Sequence, residues 1–398
     1  MNILQITKKF PWPVKDGEVI GIFNLTSGFF HMGHHVTVLS LNTQKHYFPL
    51  EKLPAAISQM ASFVAVDINT EIKAVDAFFN LFTDKSYNIE RFYSKEFELK
   101  LIETLKKSSY NLILLEGIYL MRYIDTIRAH SNAKVLLRPH NVEYVIWERL
   151  YSNEPNLLRK AYLGLLAKRM KSFELKHINL ADIVIPVSAN DMHLFEQNGL
   201  SLPHIALPIG YDFKELPAID TAEENAVGFL GGMDWIPNRE GIDWFIAQVW
   251  PRVMEKIPGA KFYLAGRNFP DEIKNLRVKG IEVVGEIDNA PEFICSKSIS
   301  VVPLFAGSGM RVKIVEAMAL GRAIVSTTVG AESLEYANGE NILIADNADT
   351  FAEAIIRVIA DNNLRLSLGN KAQQLIRDKY DNRRICNDMI SFCKPYLN

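Results

Sequence analysis

Val301-Val302-Pro303-Leu304-Phe305-Ala306-Gly307-Ser308-Gly309-Met310-Arg311-Val312-Lys313-Ile314-Val315-Glu316-Ala317-Met318-Ala319-Leu320-Gly321 is the stretch that decides the fold. An apolar run reads as a buried strand. A Gly-Ser-Gly turn follows, then a helix that Gly321 stops. The start of a helix carries free N–H groups and partial positive charge, so it attracts anions. Arg311 and Lys313 stand in that first turn, where the helix dipole disfavours cations. An anion such as a phosphate would complete the cluster. Glu316, three residues past Lys313, is the only charge between 314 and 320. Burying a carboxylate without partners is costly, and nucleotide hydroxyls would suit it as donors. The plainer alternative is an ordinary Lys313–Glu316 helix pair beside a simple glycine turn.

Working outward, the strand–turn–helix unit recurs. Residues 2–7 read as a strand, 18–32 as a helix ending at Gly33, and 35–40 as the second strand. Further strands are expected at 62–68, 112–115, 135–138, 182–187 and 205–208. After a polar, acidic linker at 217–225, strands are expected at 226–230, 261–265, 281–284, 298–304, 323–327 and 341–345. Helical segments lie between most of them, at 142–179, 238–256 and 348–378 among others, and a last helix at 382–396 closes the chain. This alternation predicts an α/β protein of two Rossmann-like, doubly wound domains. The expected limits are 1–208, 209–378 and a C-terminal helix, 379–398, that returns to the first domain.

The 398 residues fit about two domains. A net charge of −2 excludes a typical nucleic-acid binder. Three scattered cysteines, Cys295, Cys386 and Cys393, suit a reducing cytoplasm and offer no disulfide or zinc framework. No apolar run reaches the ~18 residues of a spanning helix, so any membrane contact is expected to be peripheral. The segment 71–107 is rich in aromatics and cations, including Phe78, Phe79 and Phe82. It fits either a membrane interface or an apolar face buried in the protein, and burial is the expectation because large apolar residues are usually inside. His31, His34 and His35 are expected to be structural, since adjacent strand residues point opposite ways.

Ligands of open parallel sheets bind at the carboxyl ends of the strands. Gly17, Glu116, His140, Gly231, Gly232, Arg267, Glu286 and the Gly307–Lys313 turn all fall there. Facing strand ends would form a cleft between the domains. Neither first turn has Gly-x-Gly-x-x-Gly, which argues against a dinucleotide oxidoreductase. No Asp-x-Asp occurs, so a carboxylate-held Mg²⁺ on a diphosphate is not indicated.

Gly-Ser-Gly-x-Arg-x-Lys-x-x-Glu-Ala-Met-Ala-x-Gly, followed by Val325–Glu332, resembles the donor site of retaining GT-B glycosyltransferases of family 4. Pro139–Glu143, Pro208–Asp212, Gly232–Asn238 and Gly33–Val38 are similar to other landmarks of that family. The resemblance implies transfer of a sugar from a nucleotide-diphosphate sugar to an acceptor hydroxyl, with retention at the anomeric carbon and no metal or other cofactor. It implies a carbohydrate or lipid-linked acceptor, and a cytoplasmic enzyme of cell-surface polysaccharide or glycoconjugate synthesis. By the same resemblance Glu316 would hold the ribose hydroxyls. Gly307, Ser308, Gly309 and Met310, with Arg311 and Lys313, would hold the diphosphate. His140 would face the sugar, Arg267 and Glu286 the base, and Gly17 and Glu116 the acceptor side. Two departures stand out. Ser308 occupies the place of the family's usual first Glu, and Met233–Asn238 lacks the Arg and Lys often found there. An epimerase on the same fold, or a nucleotide-sugar-binding subunit without catalysis, are the alternatives.

Overall fold

The computed structural model describes residues 1–213, 222–307 and 309–397. The chain divides into two compact units. The first comprises Met1–Gly210 and Asn382–Asn398, together with Gly309 and Met310. The second comprises Tyr211–Gly307 and Arg311–Asp381.

In the first unit six parallel strands are β1 (Asn2–Thr7), β2 (His35–Thr43), β3 (Ser62–Ile68), β4 (Leu112–Glu116), β5 (Lys134–Arg138) and β6 (Ile183–Val184). Their order is β3-β2-β1-β4-β5-β6. Both faces are covered, which is why these strands are nearly continuous apolar runs. Leu4, Ile6, Ile113 and Leu115 pack on one side against Phe97, Leu101 and Leu105 of the Lys95–Lys107 helix. Ile3, Val38, Leu112 and Leu114 pack on the other against Leu25 and Phe29 of the Gly17–His31 helix. The C-terminal helix, Asn382–Cys393, adds Ile385, Cys386, Met389 and Cys393 to that second layer.

The second unit repeats the plan with β7 (Glu223–Leu230), β8 (Lys261–Ala265), β9 (Ile281–Gly285), β10 (Lys297–Val302), β11 (Ala323–Ser326) and β12 (Leu343–Ile344). The order β12-β11-β10-β7-β8-β9 is the same path traced from the other edge. In each sheet the strand order reverses once, between β1 and β4 and between β7 and β10. Such a reversal leaves a crevice beyond the carboxyl ends of the two strands.

Three sequence expectations need correction. Residues 205–208 form no strand. His204 makes only an isolated bridge to Val184, because Pro186, opposite 205–207, accepts from Leu207 N–H at 2.9 Å but has no N–H to return. The helical reading of 71–107 breaks into Ala74–Asn80, Tyr87–Glu90 and Lys95–Lys107, the last started by Ser94 accepting from Phe97 N–H at 3.3 Å. Of the expected linker, 217–221 lies outside the described residues, while Glu223–Asn225 already belongs to β7. The Glu223 carboxylate is taken up by Lys261 at 2.7 Å and Tyr263 at 2.6 Å.

Candidate active site

The turns that follow β7, β8 and β9 are tied together through backbone. Gly231 N–H donates to Ala265 O (3.0 Å), Met233 N–H to Arg267 O (2.9 Å) and Gly266 N–H to Gly285 O (2.8 Å). Gly266 has φ of 141°, and a Cβ there would overlap the Gly231 carbonyl. Only glycine lets these turns lie so close. Arg267 is half-buried and Glu286 exposed beyond them.

The helix Val312–Ala319 begins at Arg311. The Arg311 guanidinium is buried and lies 5.3 Å from the Trp235 ring. Gly307, at φ 123°, leaves no room for a Cβ, which would stand 2.6 Å from Arg311 Nη2 and 2.9 Å from Trp235. Lys313 Nζ sits 4.5 Å over the Phe229 ring and donates to Asn238 Oδ1 at 2.8 Å. Asn238 in turn donates through Nδ2 to Gly232 O at 2.8 Å. This buried asparagine therefore couples the Gly231-Gly232 turn to the lysine. Burial, helped by Arg311, pushes the Lys313 amine down to about 7. Burial pushes the Glu316 carboxyl up to about 7. No ion pair joins Lys313 and Glu316, and among the described residues the Glu316 carboxylate has no hydrogen-bond partner. The ordinary helix-pair alternative is thus not what forms.

Of the remaining turn residues, Ser308 lies outside the described residues. Gly309, at φ 76°, packs where a Cβ would overlap Asn141 and the His140 carbonyl. Met310 is buried, and its Sδ accepts from Ile209 N–H at 3.2 Å. Both belong to the first unit.

In the first unit Glu116, the last residue of β4, is fully buried. One of its oxygens accepts from Gln5 Nε2 at 2.7 Å, and the other lies 2.8 Å from His140 Nε2. Glu116, expected beside the acceptor, has no surface left for one. The geometry gives it the holding of His140. Gly17 opens the Gly17–His31 helix, capped by Asp16 accepting from Val19 N–H at 3.0 Å. Around it lie residues that sequence reasoning passed over. Lys9 pairs with Glu18 (2.9 Å) and Asp16 (3.3 Å), and Lys8 with Glu18 (3.4 Å). Burial alone would raise the Glu18 carboxyl, but Lys8 and Lys9 hold it well below the usual range. Asn238 and this cluster carried a signal of a kind, since all follow the first strand of their domain. Nothing local announces their pairing. His31 and His34, read as structural, bond to the Ser27 carbonyl and to the N-terminal amine.

Residues 224–361 match the family model described as "Glycosyl transferases group 1". A 44.6 kDa protein in the cps region of Klebsiella pneumoniae is 28% identical over 301 residues, 72% of this chain and 74% of that one. A phosphatidyl-myo-inositol mannosyltransferase of Mycolicibacterium smegmatis is 26% identical over 47% of this chain and 50% of its own. Among solved structures, sucrose-phosphate synthase from Thermosynechococcus elongatus superposes with a TM-score of 0.78 at 18% identity, over 100% of this chain and 99% of that one. Anabaena HepE, solved in complex with UDP, gives 0.66 at 15% identity, over 99% and 100%. These likenesses and the doubled six-stranded sheet define a GT-B fold. Over residues 224–361 the chain is similar to group 1 glycosyltransferase domains, set within a GT-B fold that spans the whole chain.

Proposed function

We propose that the protein transfers a sugar from a nucleotide-diphosphate sugar to an acceptor hydroxyl with retention of configuration, in cell-surface polysaccharide or glycoconjugate synthesis. The observation that carries the donor reading is Lys313. It is a cation pushed down to about 7 whose one hydrogen-bond partner among the described residues is a neutral amide. Such a group is costly until an anion arrives. In this reading Arg311, Lys313 and the N–H groups of the first helical turn hold the diphosphate. They stabilise the charge that grows on its departing oxygen. The departing phosphate oxygen can itself take the acceptor proton, so no protein base is obligatory. Glu316 accepts from the ribose hydroxyls, Arg267 and Glu286 stand toward the base, and His140, held by Glu116, faces the sugar. No divalent ion is called for, because the two cations supply the countercharge.

The test is a thermal-shift screen of UDP-, GDP- and ADP-sugars, followed by donor consumption with and without acceptors. A ligand selective for the native state raises the melting temperature. Consumption that requires an acceptor and survives EDTA supports transfer; donor conversion with no acceptor would point to an epimerase instead. A protein that binds donor yet consumes none would overturn the catalytic reading.

A further inference from the structure

The short helix Ala74–Asn80 is turned inside out. Val75, Phe78, Phe79 and Phe82 follow the i, i+3, i+4, i+7 spacing of an amphipathic helix. That spacing normally marks the face turned to a core. Here all four are between 56% and 77% exposed. Ala77 and Asn80 are less exposed than the stripe. The sequence expectation of burial is therefore wrong for this part of the segment. The arrangement is fastened in place. Arg169 donates to Asn80 O and Oδ1, both at 3.0 Å, and to Leu81 O at 3.0 Å. The hydroxyl of Tyr87, itself buried, accepts from Lys73 N–H at 3.0 Å. Phe78 meets Phe82 edge-on, centroids 5.5 Å apart, so the rings form one outward knob.

The neighbouring helix, Leu157–Ile178, supplies charge. It carries Arg159, Lys160, Lys168, Arg169, Lys171 and Lys176 against one carboxylate, Glu174, which is fully buried. Arg159 pairs with Glu154 (3.2 Å) and Lys171 with Glu148 (2.9 Å), while Lys160, Lys168, Arg169 and Lys176 have no carboxylate partner among the described residues and leave the helix with a net positive charge. Leu157 and Leu158, 81% and 86% exposed, add a second apolar tip. On the short segment Glu71, Asp76 and Asp84 are nearly balanced by Lys73 and Lys85. Exposed aromatics beside a cationic helix match an anionic bilayer surface. Rings enter the headgroup region while Lys and Arg meet the lipid charge. A protein partner would have to offer both an apolar socket and an acidic rim. We infer that the Val75–Phe82 stripe and the cationic Leu157–Ile178 helix dock this enzyme on an anionic lipid surface. The inference is independent of the donor-site reading.

Full-length protein should co-sediment with vesicles of phosphatidylcholine mixed with phosphatidylglycerol, more weakly with phosphatidylcholine alone, and less as salt rises. Replacing Phe79 or Phe82 by Ser should weaken binding to mixed vesicles by about tenfold each. Lys168→Glu should weaken binding by roughly tenfold on the mixed vesicles and leave the neutral ones unaffected. Because these side chains are exposed, melting temperature and nucleotide thermal shift should stay at wild-type values, which separates docking from misfolding. The proposal is overturned if the protein fails to bind mixed vesicles, or if the variants bind like wild type. Self-association abolished by the Phe→Ser changes, with no vesicle binding, would assign the stripe to a second copy and equally overturn it.

Discussion

The two sheets share one strand order, yet the ends of their central strands are charged in opposite styles. Beyond β1 the lysines and His140 have carboxylate partners. Lys8 and Lys9 face Asp16 and Glu18, and His140 faces Glu116. Beyond β7 and β10 Lys313 faces the Asn238 amide. A matched cluster can present hydroxyl-binding groups at modest cost, since its charges already compensate one another. A cation left with a neutral partner is poised for an anion, at a cost in stability. The comparison teaches that one plan can carry two different charge environments, the difference lying in the partners given to a few lysines.

The largest expected effect tests the unmatched side. Lys313→Ala should lower kcat on the order of 10²–10³, as for loss of one preorganised donor at a developing charge. Near-normal kcat would remove Lys313 from the mechanism. Next comes the close approach of the turns. Gly266→Ala should destabilise the protein by about 2–3 kcal/mol, read by denaturant unfolding, through its φ of 141° and the Gly231 carbonyl. On the matched side Glu116→Gln should lower kcat roughly five- to tenfold with little change in donor KM. A charge-assisted hydrogen bond to His140 becomes a neutral one. An unchanged kcat would make Glu116 a packing residue only.

The smallest effects concern stability and pH, and they sharpen the contrast most. Lys313 falls from 10.5 to about 7 on folding, so its cationic form is the disfavoured one. Its cost is fully present below about pH 7 and fades as pH rises toward 10.5. Lys313→Met should therefore raise the melting temperature of the ligand-free protein, by about 2–4 °C per kcal/mol regained. The gain should be largest at or below neutrality and shrink in alkali. Glu316 rises from 4.5 to about 7, so its ionised form is disfavoured and stability is lost as pH climbs through that window. Glu316→Gln should then help above pH 7 and do nothing below pH 4.5, while weakening donor binding. A Lys313→Met protein that melts lower at all pH values would place the lysine among the matched charges.

Much of this was legible in the primary structure. Short apolar strand runs alternating with helical segments, broken by glycines, announced two α/β domains, because both signals are local. The Gly307–Glu316 stretch suggested an anion site for the same reason, since a helix start and its charges lie within one turn. What stayed hidden depends on distance along the chain. Asn238 reaches Lys313 across 75 positions, and Glu116 meets His140 only because β4 and β5 are neighbours in the sheet. Residues 205–208 looked like a strand, but Pro186 opposite them lacks an N–H and a single bridge at His204 is all that forms. The amphipathic stripe at 75–82 is the clearest case. Spacing reveals that a helix has an apolar face but not which way it points, and Arg169, far along the chain, turned that face outward. Local pattern determined the elements and the chemistry at helix ends. Tertiary packing alone decided which charges were matched, which pKa values moved and which faces met solvent, because each depends on neighbours that only the folded chain supplies.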